Sequence, residues 1–192
     1  MAGTYTENTV EYGVCNVHYS KATYDATAKK YTYGEVKPMP GCTSLSFPAS
    51  GSLDPFYADN IKFFVSETNN GYDGTATFAR IPDSFFEDIL GEKNGVENAD
   101  TKTAEFALLF EFDGDKSATK HVLYRCKATR PDIAGDTKED KTTPKTVQLS
   151  ISVSPRLNDH NVKAKAHVGD SSYDTFFDAV VEPDKINVVS GG

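Results

Sequence analysis

Apolar and polar residues alternate with a period of two along much of this chain, as in strands that bury one face. Phe106, Leu108, Phe110 and Phe112 fall on one face of a predicted strand. Val122, Tyr124 and Cys126 do the same, with His121, Arg125 and Lys127 opposite. Val147, Leu149, Ile151 and Val153 form a third apolar stripe, backed by Gln148, Ser150 and Ser152. Val162, Ala164, Ala166 and Val168 form a fourth, with Lys163, Lys165 and His167 outside. Earlier strands are predicted at 12–19, 31–36, 43–47, 61–66 and 75–81. Half-polar strands suit antiparallel sheets with one covered face. Asp113-Gly114 predicts a hairpin between the two strongest strands. Asn70-Gly71 and Asp73-Gly74 predict another, between 61–66 and 75–81.

Two segments break this rhythm. Pro82-Asp83-Ser84 opens a predicted short helix with Phe85, Phe86, Ile89 and Leu90 on one side and Gly91 at its end. Tyr173, Phe176, Phe177, Val180 and Val181 have helical spacing and predict a second. The two share a local pattern: Asp83-Ser-Phe-Phe-Glu-Asp-Ile-Leu90 and Asp174-Thr-Phe-Phe-Asp-Ala-Val-Val181. Two long connections remain, 49–60 and 129–144. So long a loop without structure of its own usually has a use. The pattern describes a mostly antiparallel β-domain with two short helices.

Composition narrows the function. At 192 residues the chain is one domain, or at most two small ones. Twenty Lys and Arg against 28 Asp and Glu leave a net charge of −8. A basic face that neutralises nucleic-acid phosphates is not expected. The charge is uneven: residues 1–100 hold 7 basic and 14 acidic side chains, residues 101–192 hold 13 and 14. No apolar run approaches the ~20 residues of a membrane span. Met1 to Asn8 lack a basic start and an apolar stretch, so no signal peptide is expected. Cys15, Cys42 and Cys126 are too few and too widely spaced for a disulfide framework, which points to small buried side chains in a reducing compartment.

No catalytic set emerges. Ser117-Ala-Thr-Lys120 matches Ser-x-x-Lys without the accompanying motifs. His18, His121, His160 and His167 do not pair at zinc-ligand spacing. Asp113-Gly-Asp115 lacks the ligands that complete a calcium loop. Asp83, Glu87 and Asp88 read as acids favoured in a first helical turn. An acidic β-domain without pocket chemistry reads as a structural or interaction module.

Short motifs add what periodicity does not. Val10-Glu-Tyr-Gly-Val-Cys-Asn-Val-His-Tyr19 is similar to the opening strand of the major tail proteins, or tail tube proteins, of long-tailed, non-contractile bacteriophages. Pro55-Phe-Tyr-Ala-Asp-Asn60, Asn70-Gly-Tyr-Asp-Gly-Thr75, Ile81-Pro-Asp-Ser-Phe85 and Ile89-Leu-Gly-Glu92 also resemble that family. Tyr124-Arg-Cys-Lys-Ala-Thr-Arg-Pro131, Thr137-Lys-Glu-Asp140 and Phe177-Asp-Ala-Val180 continue the likeness. The blocks span nearly the whole chain in order.

The resemblance implies a structural virion protein with no catalysis and no cofactor. It implies one tail tube domain over residues 1–192, an antiparallel β-sandwich or half-barrel with one or two short flanking helices. Hexameric rings would self-assemble into a stacked hollow tube through which DNA passes into the host. The implied partners are further copies of the chain and the tail tip or baseplate, tape measure and tail terminator proteins. Double-stranded DNA would traverse the lumen without specific binding, and no membrane insertion is implied. The implied location is the virion tail, after assembly in the host bacterial cytoplasm. An inner tube protein of a contractile tail or secretion apparatus shares this plan and stays open, as does a monomeric β-sandwich binding module.

On this reading the connections 49–60 and 129–144 carry subunit or ring contacts. Asp54, Phe56, Tyr57, Arg130, Lys138 and Glu139 are the candidate interface residues. Phe56 and Tyr57 have a second reading, as caps on the core. Gln148, Ser150 and Ser152 are the candidate lumen face.

Overall fold

A computed structural model of the chain describes residues 13–114, 118–135 and 145–186. The expected fold class holds: the chain is mostly β and antiparallel, consistent with a sandwich or half-barrel, with a single short helix. The strands are β1 Val14–Asp25, β2 Lys30–Pro38, β3 Cys42–Ser46, β4 Ala49–Ala58, β5 Ile61–Phe78, β6 Glu105–Phe112, β7 Lys120–Ala128, β8 Val147–Val153 and β9 Lys163–Ala166. They form one sheet in the order β2-β1-β6-β7-β8-β5-β3. Strand β4 pairs with β5, and β9 pairs with β7.

Strand β6, third in that order, is buried on both faces from Phe106 to Phe110. Phe106, Leu108 and Phe110 enter the larger core, where they meet Ala76 and Phe78 of β5 and Leu149, Ile151 and Val153 of β8. Ala107 and Leu109 point the other way, into a second core covered by the C-terminal segment through Ala166, Phe176 and Ile186. The expected stripe on β8 is observed: Leu149, Ile151 and Val153 are buried and Gln148, Ser150 and Ser152 exposed. The stripe on β7 is not. Val122 and Tyr124 face the second core, but Cys126 faces the first. A bulge causes the change of face: Leu108 pairs with Leu123 and Phe106 with Cys126, one extra residue on β7.

The first predicted helix forms. An α-helical turn, Asp83–Phe85, continues as a π-helical turn, Phe86–Leu90, closed by Gly91 at φ 80°. Its buried face of Phe85, Ile89 and Leu90 packs into the larger core. Phe85 meets Tyr19 and Phe106 edge-on, with ring centroids 5.1 and 5.4 Å away. The second predicted helix, over 171–181, is instead a succession of turns. Side chains from elsewhere tie its backbone down near both ends. Lys120 Nζ donates to the Tyr173 carbonyl at 2.8 Å and Tyr124 Oη to that of Val181 at 2.9 Å. Ser, Asp, Thr and Val are also weak helix formers. The apolar residues still face inward, but along an irregular strap.

The expected connection at 49–60 is also corrected. It is strand β4 followed by the turn Asp59-Asn60, whose φ values of 51° and 61° suit a two-residue hairpin. Asn70-Gly71 and Asp73-Gly74, expected as turns, lie inside the unbroken 18-residue strand β5. These glycines serve close approach instead of reversal. A Cβ on Gly71 would lie 1.9 Å from the Val153 carbonyl oxygen, and one on Gly74 2.0 Å from that of Ser46.

Candidate assembly surface

Strand β5 divides into two halves. Its second half, 72–78, pairs with β8 and, from Thr75 on, with β3; Ala76 and Phe78 are buried and the rest half-buried except Asp73. Its first half, 61–71, pairs with β4 only. Strands β4 and β5 therefore leave the body as a two-stranded arm. The register runs Asp54–Ser66, Pro55–Val65, Phe56–Phe64 and Ala58–Ile61, with a bulge between Phe56 and Tyr57. Every residue of β5 from Ile61 to Asn70 is exposed.

The arm is apolar despite that exposure. Phe56 is 62% exposed, Tyr57 64%, Phe63 70% and Phe64 61%. Leu53 and Ile61 are equally open. Phe56 and Tyr57 thus stand on the arm and do not cap the core. Asp54, beside them, accepts a hydrogen bond from Ser52 Oγ at 2.8 Å. So large an exposed apolar group is unusual on a monomer.

The expected interface residues of the other connection behave differently. Arg130 turns back onto its own chain, with Nε 2.9 Å from Glu97 Oε1 and Nη2 donating to the Asn98 carbonyl at 3.3 Å. Ile133 nearby is fully exposed. Lys138 and Glu139 lie outside the described residues.

Gln148, Ser150 and Ser152 sit on a small polar face. They pair with Thr77, Thr75 and Asp73 of β5, and those two threonines pair with Ser44 and Ser46 of β3. Ser152 Oγ donates to Asp73 Oδ1 at 2.6 Å. Across β8, β5 and β3 its side chains are short and mostly neutral, with Asp73 the one acid among these pairs, and Lys127 of β7 stands opposite Ser152 at its edge.

The sequence patterning missed Leu53, Ile61, Phe63 and Phe64 as surface residues. Ile61, Phe63 and Val65 alternate with Lys62 and so read as the buried face of a strand. The usable signal was Phe64, an aromatic on the opposite face close to Asp59-Asn60.

The chemical candidates resolve structurally. Asp88 receives Lys37 Nζ at 2.7 Å and Tyr19 Oη at 3.0 Å, binding the helix to β1 and β2. Burial pulls the Asp88 carboxyl up, but the bonds from Lys37 and Tyr19 outweigh it and leave its pKa below the ordinary value. Burial pushes Tyr19 up to about 12. Asp83 meets Arg80 at 3.4 Å on the surface. Asp113 accepts its own turn's Gly114 N–H at 3.0 Å. Ser117 and Asp115 lie outside the described residues. All three cysteines are free, and burial raises each thiol above its ordinary pKa, away from thiolate chemistry. Among the described residues no three His, Cys, Asp or Glu side chains gather as metal ligands, and no helix is long and apolar enough to cross a membrane.

Comparison with known protein families finds no family model that matches the chain, and comparison with curated proteins finds no match. The surface therefore has to be read from its own residues.

Proposed function

We propose that this chain is a self-assembling tube subunit of a bacteriophage tail. Copies join into rings, rings stack into a hollow tube, and double-stranded DNA passes through the lumen into the host. The β4–β5 arm carries the reading. An isolated two-stranded hairpin is marginal in water, yet this one exposes Phe56, Tyr57, Phe63 and Phe64. A second protein surface that covers these rings makes such an arm stable.

Two further features support the reading. The block Pro55–Asn60, which resembles the tail tube family, falls at the arm's tip. The face of Gln148, Ser150 and Ser152 offers a wall of small side chains that does not grip phosphates. With a net charge of −8, the tube repels DNA weakly and lets it slide.

Sedimentation velocity over a concentration series tests self-association. The intact chain is expected to form species far larger than one chain as concentration rises. A variant with 54–66 replaced by a two-residue turn, which keeps Leu53 opposite Glu67, is expected to stay single while its circular dichroism spectrum stays that of a folded β-protein. An intact chain that stays single throughout contradicts the reading.

A further inference from the structure

An apolar arm needs an acceptor, and the same chain holds a cavity of matching chemistry. Where β3 and β5 face β6, β7 and β9, the half-barrel opens in a mouth of about 250 Å³. Leu45, Phe47, Tyr72, Phe112 and Leu123 line it. Lys163 stands among them with Nζ 5.0 Å from the centre of the Tyr72 ring.

We infer that this mouth receives the aromatic tip of the β4–β5 arm of a second copy. The docking rests on the tube-subunit reading above and names the acceptor within it. Size allows it: an apolar cavity of about 150 Å³ holds a benzene ring. Charge favours it. Residues 51–70 carry Asp54, Asp59 and Glu67 against Lys62 alone. Lys163, exposed on β9, is the formally charged side chain in the mouth's lining, and the exposed Lys165 follows two residues on. Reach requires a second copy. Tyr72 lines the mouth and also lies at the arm's base, opposite Ala49. The Asp59-Asn60 turn stands roughly 40 Å further along β5, at about 3.3 Å per residue. An extended arm cannot bring its tip back to its own mouth.

Arm and mouth are different surfaces, so the contact is head-to-tail. Such a contact closes into a ring or runs on as a filament. An arm-to-arm contact would instead stop at a dimer.

Two variants separate the halves. The arm-shortened chain keeps the mouth. The variant Lys163→Glu with Leu45→Trp keeps the arm but fills the mouth and reverses its charge. In sedimentation velocity each is expected to stay single, and a mixture is expected to form one-to-one pairs. Circular dichroism and thermal unfolding check that both are folded. If the double variant does not fold, Lys163→Glu alone carries the test. It changes an exposed side chain and is expected to weaken self-association about tenfold, with recovery when combined with Asp59→Lys. A folded mouth-filled variant that associates like the intact chain overturns the docking and leaves the tube reading standing. So does a mixture of the two variants that forms no pairs, or a Lys163→Glu defect that Asp59→Lys does not repair. An intact chain that never associates overturns both.

Discussion

Arg156 is the least predictable residue in the molecule. It is 1% exposed, with its guanidinium carbon 5.5, 5.9 and 5.2 Å from the ring centres of Tyr31, Tyr33 and Tyr124. Nη2 donates to Glu182 Oε2 at 2.9 Å and Nε lies 3.3 Å from Asp159 Oδ1. This cage ties β2 and β7 to the C-terminal strap. Removing one partner of a buried ion pair leaves the other uncompensated, so Arg156→Ala is expected to cost about 3 kcal/mol in chemical denaturation. A loss within experimental error would mean the cage holds nothing together. Periodicity could not reveal Arg156, because it lies in an irregular segment and its partners come from three distant parts of the chain.

Asp88 gives a prediction in pH. Its folded carboxyl titrates below the ordinary value of 3.8, so its contribution is present above that value and is lost as pH falls through the lowered one. The intact protein is expected to lose more stability than Asp88→Asn between neutral pH and well below 3.8. Equal losses in urea denaturation would show that the bonds from Lys37 and Tyr19 do not stabilise the fold.

At the scale of elements, the similar segments 83–90 and 174–181 show where local pattern stops deciding. One folds as a short helix because Phe85, Ile89 and Leu90 close the larger core. The other follows side chains that capture its carbonyls, including those of Tyr173 and Val181. Strand β8 was legible because its faces differ in polarity, and β6 because Phe106, Leu108, Phe110 and Phe112 recur at every second position. Of the arm only 61–66 was legible as β, and 49–60 read as a loop; nothing in a single chain tells a strand covered by its own fold from one left open for another copy. Phe56→Ser with Phe64→Ser is expected to leave thermal unfolding nearly unchanged, because both rings are exposed, while abolishing self-association. A large drop in stability would place these rings in the fold itself. Gly71 anchors the arm where β5 meets β8. Gly71→Ala is expected to cost about 2 kcal/mol or more, since its Cβ would collide with the Val153 carbonyl oxygen. A neutral effect in denaturant would mean that β8 shifts freely.

At the scale of the molecule, the described residues present an open arm, an apolar mouth and a small polar face. The polar face belongs to the lumen in this account. Ser150→Lys would place one lysine per subunit around the channel, so tubes are expected to form normally while DNA passage slows. Unchanged DNA ejection would put this face on the outside. The fold class was readable from strand alternation, and the candidate lumen face from the pattern on β8. The mouth was not, because Leu45, Tyr72, Phe112 and Lys163 come from four separate strands.

Negative-stain images of the purified chain, across a concentration series and after prolonged incubation, bear on self-assembly without any further assumption. Rings with a central hole, or hollow tubes built from them, are the expected result. Small single-chain particles at every concentration would contradict it.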